Sequence, residues 1–317
     1  MANVLEREYI LEIIANTTDI CLRIETAAAI GKFDGIHIGH RRLLEEILSR
    51  KKDGLAACVF TFDPPPSRFF GSPDGRELTT REEKRLLFER MGVDILIEFP
   101  LDRVTAATPP VSFARDILAG QMNARFVAAG ADLSFGAGGA GNAELLREMS
   151  TQLGFAFKTI DKVCLDGEEV SSTLVRAKVE QGEMGAVCKL LGMPYLVAGN
   201  VVWGNQIGRK LGFPTINILP DKNKLLPPNG VYFSGVYVGG KSYRAITNVG
   251  YKPTVADGKV MGVESYLYDF DQDIYGQPVE VSLYSFHRPE RKFESVEALR
   301  RQLEADIAAG ASRFGSP

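Results

Sequence analysis

The sequence predicts two domains, an α/β domain followed by an all-β domain, and three observations support this prediction. The chain has 317 residues, about twice the length of an ordinary domain. In the first half, apolar runs alternate with helix-like stretches, which is typical of a parallel sheet with helices on its faces. In the second half, short β-branched and aromatic runs follow one another closely, which indicates an antiparallel barrel or sandwich. We place the domains at residues 1–185 and 186–317.

The elements of the first half are delimited by glycine, proline and helix-capping residues. Apolar strands are predicted at 26–30, 55–62, 94–99 and 125–129. A helix begins at His40, because apolar residues recur after it at i, i+4 spacing. Another begins at Thr80, since its distance from Glu83 is that of a capping box. Further helices are predicted at 111–118 and 175–181.

The elements of the second half are mostly strands joined by glycine-containing turns. Strands are predicted at 196–202, 231–238, 243–247, 263–268 and 279–286. The pairs Gly239-Gly240 and Asp257-Gly258 mark turns. One helix closes the chain, with Ser295 as its N-cap and with three apolar residues on one stripe, namely Leu299, Leu303 and Ile307.

Composition and charge exclude several classes of protein. The net charge is -3, which disfavours a strongly basic nucleic-acid-binding protein. No apolar run approaches the ~18 residues of a membrane span, and the N-terminus lacks the apolar block of a signal peptide. The four cysteines lie far apart without a CxxC pair, and we expect them to be buried thiols in a reducing compartment. We therefore expect a cytoplasmic protein with neither nucleic-acid nor membrane partners.

Two of the three histidines lie in the segment Gly31–His40, with the sequence GKFDGIHIGH. This segment joins a buried strand to a helix, so that backbone N–H groups and the positive end of the helix dipole face an anion. Gly35 and Gly39 allow the backbone to turn tightly and to approach a phosphate. The imidazoles of His37 and His40 can donate hydrogen bonds to phosphate oxygens whose charge grows during transfer. The alternative is a turn with two surface histidines.

A second segment, 199–217, has the sequence GNVVWGNQIGRKLGFPTIN. Its spaced glycines, with Arg209 and Lys210, can surround a polyphosphate with backbone donors and cations. Thr215 and Asn217 stand at i, i+2, on one face of an extended segment. Such oxygen ligands beside phosphates suit Mg²⁺, which keeps several waters and takes few protein ligands. The alternative is a turn followed by a strand.

Both segments resemble the bacterial bifunctional riboflavin kinase/FAD synthetase family. The first is similar to the family's G-x-F-D-G-x-H-x-G-H, and SSTLVR at 171–176 is similar to its I-S-S-T-x-I-R. The second resembles the riboflavin kinase signature G-x(3)-G-R-x-L-G-F-P-T-x-N, and further matches follow at 226–232, 248–254, 263–270 and 288–293. The resemblance covers roughly residues 20–310. It implies a Rossmann-like nucleotidyltransferase domain and a C-terminal antiparallel β-barrel riboflavin kinase domain with a terminal helix.

The resemblance also implies two reactions and their site residues. Riboflavin would be phosphorylated to FMN, and FMN adenylylated to FAD with release of pyrophosphate, with ATP as co-substrate and Mg²⁺ as cofactor. For adenylyl transfer, His37 and His40 would be catalytic. ATP would be bound there by Gly31, Phe33, Asp34, Gly39, Ser172, Thr173 and Arg176, and FMN by Phe62, Pro64 and Asp132.

For the kinase reaction, the resemblance points to Glu264 as general base, because the attacking hydroxyl must lose its proton and a positioned carboxylate can take it. Mg²⁺ would be held by Thr215 and Asn217. ATP would be bound by Gly204, Gly208, Arg209, Gly212 and Pro214, and the flavin by Arg288 and Glu290.

The sequence departs from the family pattern at two places in the first domain. Lys32 stands where the family commonly has Asn, and the loop 133–140 has small or neutral residues where basic ones are expected. These departures motivate an alternative, a kinase whose N-terminal domain serves only binding or assembly. A second alternative is an adenylyltransferase for another phosphate ester, such as phosphopantetheine, which would leave the C-terminal signature unexplained.

Overall fold

The computed structural model of this chain describes residues 10–71, 75–204, 208, 211–253 and 259–314. These residues form two compact units that are not contiguous in sequence. The first comprises Met1–Gly75 and Lys84–Ser171, and the second comprises Arg76–Glu83 and Ser172–Pro317. The domain boundary near residue 185 stays a prediction.

The first unit is built on a six-stranded sheet in which every pair of neighbours is parallel, as predicted. Its strands are β1 Glu12–Ala15, β2 Thr26–Ile30, β3 Ala56–Asp63, β4 Ile95–Pro100, β5 Ala124–Gly130 and β8 Ala156–Ile160. Short strands pair separately, β6 Ser134–Phe135 with β7 Gly141–Asn142 and β9 Cys164–Leu165 with β10 Glu168–Glu169. The sheet order is β1-β4-β3-β2-β5-β8. The edge strands β1 and β8 were not predicted.

The helices of the N-terminal half are α1 Ile38–Ser49, α2 Pro66–Phe69, α3 Arg81–Arg90, α4 Pro110–Ser112 and α5 Ala143–Leu153. The predicted capping box of α3 is confirmed, since Glu83 N–H donates to Thr80 Oγ1 and Thr80 N–H donates to a Glu83 carboxylate oxygen. The helix predicted at 111–118 is present, but it continues from α4 as a π-helical turn over Phe113–Gln121. Met122 N–H donates to Ile117 O, five residues back.

The order of the sheet creates a crevice between β2 and β5. The chain passes from β2 to its neighbour β3 on one side, and from β5 to its neighbour β8 on the other. In parallel sheets, ligands bind outside the carboxyl ends of the strands at such a topological switch point. The loop that begins at Gly31 leaves the carboxyl end of β2, and the loop with Asp132 leaves that of β5. The two loops therefore meet at the same edge of the sheet.

The second unit is a closed barrel, so the barrel alternative is confirmed over the sandwich. Its strands are β11 Tyr195–Val202, β12 Thr215–Ile218, β13 Gly230–Val238, β14 Lys241–Pro253, β15 Lys259–Leu267 and β16 Pro278–Pro289, in the antiparallel order β11-β12-β15-β14-β13-β16. Its helices are α6 Ser172–Glu180, α7 Met184–Leu191 and α8 Val296–Phe314. Gly239-Gly240 forms the predicted turn with positive φ angles, and Asp257-Gly258 lies outside the described residues. Ser295 caps α8 as predicted, because its Oγ accepts from Ala298 N–H.

The second unit includes a segment from much earlier in the chain, Arg76–Glu83, that is anchored by a buried ion pair. Lys224 Nζ lies 2.7 Å from a Glu83 carboxylate oxygen, and the side chains of both residues are 2% exposed. Lys224 Nζ also donates to Leu78 O at 2.6 Å and lies 4.2 Å from the centroid of the Tyr195 ring. The other Glu83 oxygen accepts from Ala198 N–H. Both charges are therefore satisfied by several partners inside the unit.

The expectation that all four cysteines are buried was wrong. Cys58 is buried and Cys188 half-buried, but Cys21 and Cys164 are exposed, since one lies in a loop and the other on the short β9–β10 hairpin. Trp203 is 70% exposed and stacks on Tyr275 with ring centroids 3.7 Å apart. Among the described residues, no helix is long and apolar enough to span a membrane.

Candidate active sites

The predicted histidine site lies at the start of α1, which begins at Ile38 and not at His40 as expected. The helix begins earlier because His37 is its N-cap: Nδ1 of His37 accepts from His40 N–H at 3.3 Å. The two imidazole rings stack, with centroids 3.8 Å apart and an interplanar angle of 19°. Since Nδ1 of His37 is an acceptor, the proton of the neutral ring resides on Nε2, which can donate to a ligand.

The loop before α1 has an unusual backbone that is held by burial. Phe33 and Ile36 have φ angles of 49° and 44°, a conformation that non-glycine residues adopt rarely. Both side chains are fully buried, and the Phe33 ring contacts His40 and Phe88. A Cβ on Gly39 would lie 3.1 Å from Nδ1 of His37. The tight loop therefore depends on its packing and on the absence of a side chain at 39.

Both histidines are neutral at pH 7. Burial lowers the pKa of His37 to about 4, and the carboxylate of Asp132 partly opposes this shift. Burial also lowers the pKa of His40 well below its usual value, and the neighbouring His37 and Lys84 lower it further. Nδ1 of His40 is buried and has no hydrogen-bond partner within the described ranges. An uncompensated polar atom beside a helix N-terminus is consistent with a ligand site.

The other predicted residues of this site lie at the carboxyl ends of β2, β3 and β5. Asp34 is half-buried in the loop after β2. Phe62 and Pro64 are half-buried at the end of β3, where Phe62 packs edge-on against Phe60 and the Asp63–Pro64 peptide bond is cis. Asp132 is exposed after β5, and its charge acts on His37. The structure thus brings the predicted ATP-binding and FMN-binding residues of the first unit to one edge.

Three predicted ATP-binding residues lie in the second unit. Ser172 is the first residue of α6, Thr173 follows it, and Arg176 lies one turn further along. Their approach to the two histidines stays a prediction.

The predicted kinase residues meet where β12 pairs with β15. The hydroxyl of Thr215 donates to a carboxylate oxygen of Glu264 at 2.6 Å, and Asn217 is paired directly opposite Glu264. A Cβ on Gly204 would lie 2.5 Å from Nδ2 of Asn217, so the backbone at 204 closely approaches this amide. The site therefore combines one carboxylate with the side-chain oxygens of Thr215 and Asn217.

Two cavities share Thr215 as a lining residue. The first, of about 260 Å³, lies between the barrel and α8 and is lined by Glu264 and by apolar residues that include Leu299, Leu303 and Ile307. The second, of about 350 Å³, is lined by Pro214, Asn217 and the loop 270–275. A hydroxyl group in the first cavity and a phosphate chain in the second would both reach the Thr215–Glu264 contact.

The glycine-spaced loop is described only in part. Gly208 O accepts from Leu211 N–H and Phe213 N–H, and a Cβ at 208 would lie 2.4 Å from Phe213 O. Gly212 has a φ angle of 89°, so the turn there favours glycine. Arg209, predicted to bind ATP, lies outside the described residues.

The two predicted flavin-binding residues of the kinase line the first cavity, but they differ in their partners. Glu290 is exposed and lies 3.5 Å from Nδ2 of Asn229. The Arg288 guanidinium is bound in a bidentate ion pair by Asp306 of α8. The sequence analysis assigned no site role to Asp306, or to the cavity-lining Asn248, which lies in the matched segment 248–254. The signals that α8 covers something were its apolar stripe and the matched segment 288–293 just before it.

The residues described contain no group of three or more His, Cys, Asp or Glu side chains that could hold a metal ion. The oxygens of Thr215 and Asn217 nevertheless suit Mg²⁺, which binds proteins through few ligands and shares its coordination with substrate phosphates.

Comparisons with known proteins match both halves of the chain. A family model described as FAD synthetase matches residues 22–174, and one described as riboflavin kinase matches residues 191–314. The bifunctional riboflavin kinase/FMN adenylyltransferase of Listeria monocytogenes is 34% identical over 295 residues, covering 92% of this chain and 93% of the relative. The enzyme of that name from Escherichia coli K12 is 34% identical over 289 residues, covering 90% and 92%.

A crystal structure described as a macrolide-efflux protein from Streptococcus pneumoniae has a TM-score of 0.83 and 31% sequence identity, covering 97% of this chain and 100% of the other. The whole fold, with both units, therefore occurs in a solved relative. The two family models and the two curated relatives confirm the resemblance seen in the motifs. The chain belongs to the bifunctional riboflavin kinase/FMN adenylyltransferase family.

Proposed function

We propose that the second unit phosphorylates riboflavin to FMN, and that the first unit adenylylates FMN to FAD with release of pyrophosphate. ATP is the donor in both reactions. The observation that carries the proposal is the hydrogen bond from Thr215 to Glu264, at the junction of an apolar cavity and a second cavity beside Asn217. The names of the two curated relatives support the same pair of reactions.

In the kinase reaction, the oxygen of the ribityl 5′-hydroxyl attacks the γ-phosphate while Glu264 accepts the hydroxyl proton. The bond between the γ-phosphorus and the β,γ-bridging oxygen breaks, and ADP leaves. The apolar first cavity suits the flavin ring system, which places the ribityl chain toward Glu264. The Thr215 hydroxyl donates its proton to Glu264, so its oxygen lone pairs face away from this hydrogen bond and can serve a cation. Thr215 and Asn217 would hold Mg²⁺, which would supply positive charge to the phosphate oxygens.

In the adenylyl transfer, the FMN phosphate attacks the α-phosphate of ATP, the bond to the β-phosphate oxygen breaks, and pyrophosphate leaves. His37 and His40 donate hydrogen bonds from neutral rings at the N-terminus of α1, where the helix dipole also favours an anion. Because the phosphate of FMN is itself the nucleophile, the enzyme forms no covalent intermediate. Catalysis in both units consists mainly of positioning and charge stabilisation.

We also infer that the protein acts in the cytoplasm. Both proposed reactions consume ATP, and the four cysteines are free thiols, two of them exposed. Exposed free thiols persist in a reducing compartment.

The experiment that tests the function separates the two products by chromatography. The purified protein is incubated with Mg²⁺, ATP and either riboflavin or FMN. FAD in both reactions is expected. FMN without FAD would mean that the first unit serves only binding or assembly. Absence of FMN in the riboflavin reaction would refute the kinase assignment.

Two variants assign the sites. Glu264→Gln should lower FMN formation by about 10²–10⁴-fold while FAD formation from supplied FMN persists, and His40→Ala should do the reverse. Asp269→Asn, an exposed carboxylate just after β15, and Arg42→Ala, on the exposed face of α1, are the matched controls. Equal loss of both products in either site variant would contradict the assignment.

A further inference from the structure

The carboxylate of Asp306 in α8 is the centre of a buried network between this helix and β16. Its side chain is only 2% exposed. It accepts from Arg288 Nε at 2.8 Å and from Arg288 Nη2 at 2.6 Å, and from Gln302 Nε2 at 2.7 Å. His287 Nε2 lies 3.3 Å from the same carboxylate. Burial raises the pKa of Asp306, but the hydrogen bonds and the charge of Arg288 outweigh this and lower it, so the carboxylate is ionised.

All three nitrogens of the Arg288 guanidinium donate hydrogen bonds. Nε and Nη2 form the bidentate pair with Asp306, and Nη1 donates to Pro289 O at 3.0 Å. Bidentate Arg–carboxylate pairs are among the strongest and most directional hydrogen-bonded contacts in proteins. The geometry thus gives Arg288 a partner in α8, although its motif had suggested a flavin contact.

The contacts of α8 with the barrel are concentrated in its middle and C-terminal part. Besides Asp306, Tyr268 Oη donates to Ile307 O at 2.6 Å. Gly310 lies so close to the barrel that a Cβ there would be 2.3 Å from Tyr268 Oη. Leu299 and Leu303, which line the first cavity, precede these contacts by one to two turns. The anchored part of the helix therefore sets the position of its cavity-lining part.

We propose that Asp306 and Arg288 are positioning residues that hold α8 as one wall of the riboflavin-binding cavity, and that Arg288 acts through Asp306. This inference rests on the proposed kinase function of the second unit. Glu264 and Thr215 lie on the barrel strands β15 and β12, so a displaced α8 weakens flavin binding without moving the groups that perform the transfer. Affinity for riboflavin and the rate at saturation are therefore separable.

The test is a double-mutant cycle with Asp306→Asn, Arg288→Gln and the double variant in the full chain. Riboflavin affinity is measured by quenching of flavin fluorescence, and KM and kcat by FMN formation. Each single variant should raise Kd and KM for riboflavin about tenfold and leave kcat within twofold. The double variant should resemble the single ones, because both substitutions break the same pair.

The control is Glu304→Gln, which breaks the exposed Arg300–Glu304 pair on the same helix and should leave all three quantities unchanged. If Arg288→Gln does not fold, Arg288→Lys, which keeps the charge but not the bidentate geometry, should show a smaller rise of KM. The proposal is overturned if Arg288→Gln raises KM much more than Asp306→Asn and the effects multiply, since Arg288 then contacts the flavin itself. A fall in kcat with unchanged Kd also overturns it. Absence of FMN formation in the unsubstituted protein would instead refute the proposed function.

Discussion

Replacing Lys224 by Met should destabilise the second unit strongly, because it leaves the Glu83 carboxylate buried without its counter-charge. The ion pair has an N–O distance of 2.7 Å and both side chains are 2% exposed. Glu83 would keep its hydrogen bonds from the Thr80 and Ala198 N–H groups. Its oxygens would therefore still have hydrogen-bond partners, but its negative charge would have no counter-charge.

The magnitude follows from the burial and the distance. At an effective dielectric constant of about 20, two unit charges 2.7 Å apart attract by about 6 kcal/mol. Desolvation offsets much of this, and removing one partner of a buried pair costs about 3–5 kcal/mol. We expect Lys224→Met and Glu83→Gln each to lower the free energy of unfolding by about that amount. The double variant should lose no more than either single variant, because neither charge is then buried.

The assay follows urea unfolding with FMN formation as the readout of the second unit. For a urea dependence of about 2 kcal/mol/M, a loss of 4 kcal/mol lowers the midpoint for FMN formation by about 2 M. The control is Glu180→Gln, which breaks the Arg76–Glu180 pair, whose side chains are 48% and 45% exposed. Its midpoint should move by the equivalent of at most about 1 kcal/mol.

Two results would refute this reasoning. One is a loss below about 1 kcal/mol for Lys224→Met, which would mean that water reaches Glu83 in the folded unit. The other is a double variant whose loss equals the sum of the single losses, since the two charges would then act independently.

Three further predictions concern the candidate sites. Lowering the pH from 7.5 to 5 should destabilise the first unit by at least about 2 kcal/mol, because unfolded His37 gains a proton near pH 6.5 whereas its folded pKa is about 4. His40, whose folded pKa is also lowered by burial, adds to this loss. The stabilisation is present above pH 6.5 and is lost as the pH falls toward 4. Urea unfolding at both pH values measures the loss. A His37→Gln variant that loses as much stability between the two pH values as the unsubstituted protein would contradict the prediction. Gly204→Ala should raise the Mg²⁺ concentration needed for half-maximal FMN formation at least tenfold, since the new Cβ would lie 2.5 Å from Nδ2 of Asn217. An unchanged Mg²⁺ titration would contradict this. Thr215→Val should lower the rate of FMN formation by about 10²-fold because the hydroxyl beside Glu264 is lost, whereas Thr215→Ser should keep most of it. Equal rates for the two variants at position 215 would exclude a role for the hydroxyl.

The four central strands of the first unit and five of the six barrel strands could be predicted from the sequence, because runs of apolar, β-branched and aromatic residues end at their own stop signals. The four-residue strand β12 was not among the predicted strands. The four-residue strand β1 could not be predicted, since Glu12–Ala15 is too short to show a period. The strand β8 has exposed positions at its start and at Lys158, as expected for an edge strand, and it lacks the continuous apolar run of its neighbours. The π-helical turn at Phe113–Gln121 is likewise invisible to periodicity, because it depends on backbone hydrogen bonds.

In the candidate sites, features of one continuous segment could be predicted, whereas features that depend on residues far apart in sequence could not. His37 and His40 could be found from their spacing, because the strand–loop–helix that carries them is continuous in sequence. Their neutral state could not be predicted, since burial depends on Phe33 and on packing from other elements. The partner of Arg288 was missed for a related reason: Asp306 lies 18 residues away on another element, and no motif connects the two.

The segment Arg76–Glu83 has a consequence for exchanging halves between relatives. A chimaera joined near residue 185 would combine the Lys224 side of the buried ion pair from one parent with the Glu83 side from another. Each half could be intact in its own parent and the hybrid still unstable, because Arg76–Glu83 and residues 172–185 of the second unit would come from the other protein. Recombination between such genes therefore yields a stable kinase unit only when this early segment travels with the C-terminal half or is compatible with it. The residues of the two units therefore form interleaved, rather than consecutive, stretches of one chain.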